Sequence, residues 1–372
     1  MCAMLSIYNY CNQLYFITSV LVILLQISLC ENCNNFYNIS LMLTTRINNG
    51  PPHVFEIPSY TGCNVPKEYI NTTEEIIVLD QEIKTIGTRS IYGIDKLKKL
   101  LFFGCDIITV SPGAFQDNPN LRILHIKNGN LKTINAGVFN IIPSLQQLNF
   151  RENEINMISD LAFSNLPSLK ELVLANNDLN VINNTWFENS TNIEILDLRN
   201  NNLKRVDRVS LSKTPRLKEI LLDFNDIEVV EEDAFANFKE LKHLGLSHNR
   251  LSQIDANIFQ NGILAKKVSL NVNLLNYLSV EFLKMLRVDE ISLNGNPWNC
   301  LCLNRIHDWL NGVNGTLITD ELCSRYDIPH CVYPEEPSSH CVERVDEDLT
   351  DDYIKTLKAL VPNVDDSCAR LD

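Results

Sequence analysis

Apolar residues recur along most of this chain at a fixed interval, and that interval predicts the architecture. The segments LRILHIKNGNL from Leu121, LQQLNFRENEI from Leu145, LKELVLANNDL from Leu169 and IEILDLRNNNL from Ile193 align without a gap. LKEILLDFNDI from Leu217 and LKHLGLSHNRL from Leu241 follow in register, each unit starting 24 residues after the last. Leu97 (LKKLLFFGCDI) and Ala265 (AKKVSLNVNLL) extend the count in both directions. Thr73 (TEEIIVLDQEI) opens it in degenerate form, and Val288 (VDEISLNGNPW) closes it after a 23-residue step, making ten units. Alternating apolar and polar residues over the first seven positions predict a short strand with one buried face. Units of this length stack, so the ten strands are expected to form one parallel sheet along the inside of a curved solenoid.

The rest of each unit is as regular. Asparagine stands at position nine in Asn153, Asn177, Asn201, Asn225, Asn249, Asn273 and Asn296. There the chain turns inward, and an amide side chain satisfies buried backbone groups of its own loop and the neighbouring one. Cys105 takes that slot in the second unit and reads as a free, buried thiol. Position fourteen is Val110, Ile134, Ile158, Ile182, Val206, Val230, Ile254 and Leu278. Position nineteen is Phe115, Phe139, Phe163, Phe187, Phe235 and Phe259, with Leu211 replacing phenylalanine once. Such a column of rings predicts a core spine.

Composition narrows the function. The 372 residues are 45% hydrophobic and 21% charged, with a net charge of −14 at pH 7. That acidity argues against nucleic acid and against an anionic membrane surface. Residues 1–30, with the apolar run Phe16 to Leu29 and small residues before Cys30, read as a signal peptide; an uncleaved anchor is the competing reading. No later stretch has the length and apolarity of a span, and no hydrophobic tail marks a lipid anchor, so a secreted, soluble protein is expected. Asn38, Asn71, Asn183, Asn189 and Asn314 begin glycosylation sequons. Of twelve cysteines, nine follow Cys30, and six of those lie between Cys300 and Cys368, the clustering of a stapled extracellular module. Cys33 and Cys63 are the obvious N-terminal pair. His125, His243 and His248 have no metal-ligand spacing, and phosphate-loop and hydrolase motifs are missing. Neither catalysis, nor a metal, nor a cofactor is expected.

The repeat L-x-x-L-x-L-x-x-N-x-L, followed by NPWNCLC at Asn296–Cys302, RIHDWL, Cys323 and Cys341, resembles extracellular leucine-rich-repeat proteins with a cysteine-flanked C-terminal cap, such as the Toll and Slit ectodomains. The resemblance implies a right-handed α/β solenoid, a horseshoe with a concave parallel sheet and disulfide-bonded caps. It implies Cys300–Cys323 and Cys302–Cys341, leaving Cys331 and Cys368 either to pair with each other or, for Cys368, to bridge to a second chain as a homo- or heterodimer. The divisions are then a signal peptide (1–30), an N-terminal cap (31–72) that is short, irregular and polar, and repeats (73–298). A C-terminal cap (299–345) and an acidic tail with a short helix (346–372) complete the chain. Among narrower relatives the chain looks most like the secreted insect leucine-rich-repeat immune proteins of the LRIM group, without their coiled coil. That likeness implies an innate-immune binding protein. An extracellular adhesion or guidance protein, and an inhibitor of an extracellular enzyme, are the alternatives.

Positions three, five and seven of each strand face the concave side. Ten strands ~4.8 Å apart span about 43 Å, a surface suited to a protein or polysaccharide, such as a pathogen-surface ligand. Ile77, Leu79, Leu101, Phe103 and Ile123 make an apolar cluster there, read either as a contact surface or as the seat of a folded-over N-terminal cap. Lys127, Arg151 and Arg199 follow, with Asp197 and Asp223 beside them, and complete the candidate partner-binding set.

Overall fold

A computed structural model describes residues 36–47, 50–62, 64–319, 328–334, 338–361 and 368. The expected signal peptide, Cys33, Cys63 and Cys323 lie outside these residues. One 13-stranded sheet runs the length of the molecule. Its body is ten parallel strands, one per repeat. They are β3 (Thr73–Leu79), β4 (Lys99–Phe103), β5 (Ile123–Lys127), β6 (Gln147–Asn149), β7 (Glu171–Val173), β8 (Ile195–Asp197), β9 (Glu219–Leu221), β10 (Glu240–Gly245), β11 (Ile263–Ser269) and β12 (Leu286–Ser292). Neighbours pair in register at the same repeat position: Leu148, Leu172, Leu196 and Ile220 lie side by side, all fully buried.

The position-nine asparagines form a ladder. Asn225 Nδ2 donates to the carbonyl oxygens of Leu198 and Leu222, both at 3.0 Å, while its Oδ1 accepts from Leu203 N at 3.1 Å. The same triplet recurs at Asn177, Asn201, Asn249 and Asn273. It ties each turn to the one before it, where no water reaches the backbone. Gly129 breaks the ladder. Without an acceptor there, Ile107 N turns back to the Cys105 carbonyl at 2.7 Å. A Cβ on residue 129 would stand 2.7 Å from that carbonyl oxygen and 3.0 Å from Asn153 Oδ1. Restoring the consensus with Gly129→Asn is therefore expected to destabilise the protein by about 2 kcal/mol through overpacking. Urea unfolding checks this, and a gain in stability would contradict it. Cys105 is buried, and desolvation pushes its thiol pKa up, keeping it protonated.

The phenylalanine spine is present. Phe139 stacks on Phe163 at 5.8 Å and Phe163 on Phe187 at 6.4 Å; Phe235 meets Phe259 at 5.9 Å. Phe282 carries the column on at 6.0 Å from a short helix, α1 (Val280–Met285). Among the described residues, α-helix is confined to α1 and the C-terminal cap. The convex side of the other units is made of turns, two-residue strands and two 3₁₀ segments.

The N-terminal cap is not the irregular segment expected. Strands β1 (Phe36–Thr45) and β2 (His53–Gly62) form an antiparallel hairpin, and β1 pairs with β3, Met42 opposite Ile77. Period-two burial of Ile39, Leu41 and Leu43 drives it: these side chains cover the apolar end of the solenoid while β1 occupies the open edge of β3. Pro58 and the left-handed Ser59 (φ 55°) interrupt the outer strand, which discourages further pairing.

The C-terminal cap is helix α2 (Cys300–Gly312) and strand β13 (Thr316–Leu317), which adds to β12. Cys302 pairs with Cys341, but Cys300 pairs with Cys331, correcting the expected Cys300–Cys323 and Cys331–Cys368. The cause is local. Cys300 N donates to the Val332 carbonyl at 3.0 Å and Val332 N to the Trp298 carbonyl at 2.8 Å, which brings Cys331 to a Cα distance of 4.9 Å from Cys300. Cys368 is fully buried and disulfide-bonded within the chain, which leaves no thiol there for a second chain. The acidic segment is part of the cap. Helix α3 (Glu347–Leu360) has 14 residues, longer than the short helix expected in the tail. Asp346 caps it, accepting from Leu349 N, and it buries Leu349, Tyr353 and Leu357. Asn276 of the penultimate repeat accepts from Asp346 N and donates to Thr350 Oγ1, which docks the helix on the solenoid.

Candidate binding face

Side chains at positions three, five and seven divide the concave sheet into three zones. The first is apolar. Ile77 lies beside Leu101, Leu79 beside Phe103, and Ile123 beside Lys99, while Met42 of β1 extends the row. Among the described residues the N-terminal hairpin continues the sheet in its own plane and leaves this cluster uncovered. Leu79 keeps 41% of its surface exposed, and Ile77, Leu101, Phe103 and Ile123 are half-buried. Lys127 closes the zone with its Nζ 5.4 Å above the Phe103 ring, and His125 meets the same ring edge-on at 6.3 Å. Desolvation first, and the Lys127 charge second, push the His125 pKa down, so the imidazole is neutral at pH 7.

The second zone is mixed. Arg151 pairs with its neighbour Glu152 at 2.9 Å, and its N–H donates to Asn149 Oδ1 at 3.0 Å. This exposed pair contributes little to stability. Ala175 holds position seven in the next unit, so Arg151 and Arg199 are separated rather than joined in one basic stripe.

The third zone is small, polar and largely buried. Asp197, 5% exposed, accepts from Arg199 Nε at 2.9 Å and Nη2 at 2.7 Å. This side-by-side clamp raises the guanidinium pKa, chiefly through the hydrogen bond. Asp223, 6% exposed, lies one strand further on. Beyond it come Gly245, Ser247, Ser269, Asn271 and Ser292, with Ser292 Oγ bonded to Asn271 Oδ1 at 2.7 Å. His243 Nε2 faces Ser269 Oγ at 3.0 Å, and burial outweighs Asp223 in pushing its pKa down. On the rim, Phe224 is 45% exposed with its ring stacked on His248 at 4.0 Å. Reading the sequence for large and charged side chains missed Gly245 and the serines. The available signal was a run of small residues at positions five and seven from residue 245 onward.

None of Asn38, Asn71, Asn183, Asn189 and Asn314 occupies position three, five or seven of a parallel strand. Among the described residues, no group of three or more His, Cys, Asp or Glu side chains is arranged to hold a metal, and no helix is long and apolar enough to cross a membrane.

The BspA-type leucine-rich-repeat region matches residues 65–194 in six copies, and a second leucine-rich-repeat family matches 167–227 and 215–261. The chain is a leucine-rich-repeat protein. No curated protein sequence matches it closely. Among solved structures it is similar to a chain of the octameric complex of Latrophilin 3, Unc5D and FLRT2. That pair is 17% identical, the match covers 77% of this chain and 92% of that one, and the TM-score is 0.50. It is also similar to a chain of the Drosophila Toll–Spatzle complex, with 17% identity, 65% and 34% coverage and a TM-score of 0.54. At this identity the likeness shows the fold.

Proposed function

We propose that this protein is a secreted, non-enzymatic binding protein that holds a protein partner on its concave face, and that it serves innate immunity. The observation that carries the reading is the uncovered apolar zone. Leu79 lies beside Phe103 and Ile77 beside Leu101 on a rigid sheet, Leu79 exposed and the other three half-buried, with Lys127 next to Phe103. A cluster of aliphatic and aromatic side chains rimmed by a cation is the composition of an interface core, and it suits a protein better than a polysaccharide. The five sequons support the reading, since glycans on them would leave the concave strands bare. The C-terminal disulfides suit an oxidising, extracellular setting. Both solved structures of similar fold are complexes with protein partners, and the Toll complex is described as a hub in development and innate immunity. The immune assignment itself rests on the resemblance to secreted insect repeat proteins.

Affinity capture from extracellular fluid, comparing wild type with Leu101→Glu/Phe103→Glu, tests the proposal. Two carboxylates in the interface core are expected to weaken the captured partner about 100-fold. Because both positions are partly exposed, the melting temperature is expected to stay within about 3 °C of wild type. Equal capture by the two proteins would move the site off this face.

A further inference from the structure

Asp223 has an environment that the fold alone does not account for. It sits at position seven on the concave side, yet its carboxylate lies back across the next strand instead of standing up into solvent. Its Cγ is 2.8 Å from where a Cβ on residue 245 would be, and Oδ2 is closer still, so only glycine at 245 leaves room. Oδ1 accepts from Ser247 N at 3.0 Å and Ser247 Oγ at 2.6 Å. Oδ2 has no hydrogen-bond donor among the described residues. Three residues from two repeats thus lay one carboxylate flat on the sheet, 6% exposed, with half of its acceptor capacity unused.

The surrounding charges do not complete it. Arg199, the nearby cation, has its Nε and Nη2 committed to Asp197. His243 is turned to Ser269 and, with its pKa lowered by burial, is uncharged at pH 7. Arg199 therefore acts on Asp223 only through space, and a buried carboxylate with no directly hydrogen-bonded cation is costly, since buried charges are normally paired. Here the small side chains of Gly245, Ser247, Ser269 and Ser292 leave the floor of the face low, which gives access to a long, flexible side chain from outside.

We propose that Asp223 Oδ2 is the docking point for a lysine or arginine side chain of the protein partner. The inference rests on the concave-face reading and makes it more specific. The partner carries an apolar patch for the Leu101–Phe103 zone and, several strands away, a basic residue that completes the Asp223 pair.

Oligolysine and oligoarginine peptides, with oligoglutamate as the control, test it by calorimetry at physiological ionic strength on the full secreted chain. Wild type is expected to bind the basic peptides with a single saturable site. Asp223→Asn keeps the shape and a carbonyl for Ser247, and is expected to weaken binding about tenfold with an unchanged or higher melting temperature. Glu232→Gln, on the convex side, removes the same charge and is expected to change binding less than twofold. Equal loss in the two variants, or no saturable binding by wild type, overturns the proposal. A markedly lower melting temperature for Asp223→Asn also overturns it, since that would mark a structural carboxylate. If Asp223→Asn binds both peptides and captured partner normally while Leu101→Glu/Phe103→Glu loses the partner, the cation site is wrong and the concave-face reading stands. If neither variant matters, both fall.

Discussion

Replacing Asn225 with alanine is expected to destabilise the protein by about 3 kcal/mol, one of the largest effects available from a single polar residue in this fold. The side chain makes four hydrogen bonds within the solenoid wall, the three of the ladder and a longer one to the Asp223 carbonyl at 3.3 Å. The carbonyls of Leu198 and Leu222 each keep a second donor, from Asn201 and Asn249, so their loss is partial. Leu203 N–H loses its acceptor altogether, in a place where no water replaces it, and the amide leaves a small void. Melting should fall by about 8 °C by scanning calorimetry. Asn130→Ala, which removes only a 3.4 Å contact to Asp106 near the surface, is expected to shift stability by less than about 0.5 kcal/mol. Comparable losses at the two positions would show that the ladder is not what joins the turns.

Removing the Cys302–Cys341 bridge by Cys302→Ser/Cys341→Ser is expected to cost the C-terminal cap about 4 kcal/mol. The bridge spans 39 residues, and opening a loop of that length returns this much chain entropy to the unfolded cap. A solenoid is stabilised repeat by repeat, so the damage should begin locally, with α2, α3 and the apolar end they cover around Trp298 and Ile306. Hydrogen exchange checks this: amides of the cap and of β12 should lose protection while those of β6 to β9 keep theirs. Uniform loss along the chain would mean that the cap and the repeats unfold as one unit. Peptide mapping of the wild type under non-reducing conditions is expected to recover Cys300 linked to Cys331.

The repeat architecture was legible because its determinants are local and periodic. A 24-residue interval, an asparagine at position nine and a phenylalanine at position nineteen each act on the adjacent turn. Counting along the chain therefore locates the sheet, the ladder and the spine. The hairpin was legible in part: FYNISLMLTT alternates over Ile39, Leu41 and Leu43, a strand signal obscured by the polar residues around it. On the concave face, position numbers placed Ile77 beside Leu101, Leu79 beside Phe103 and Ile123 on the next strand, because strand register carries over directly from repeat register.

What the sequence by itself determined is thus the stack of ten units and which side chains face inward or outward, since both follow from spacing within one turn. The tertiary structure alone decided that Cys300 meets Cys331, because the segment after the cap helix returns beside Trp298 and hydrogen-bonds there. It also decided that the N-terminal hairpin lies in the plane of the sheet and leaves the apolar zone open, and that the Asp223 carboxylate reclines over Gly245. Those outcomes depend on contacts between residues from different turns or from the caps, where a missing side chain in one turn becomes space for a charge in another. Spacing along the chain carries no record of that.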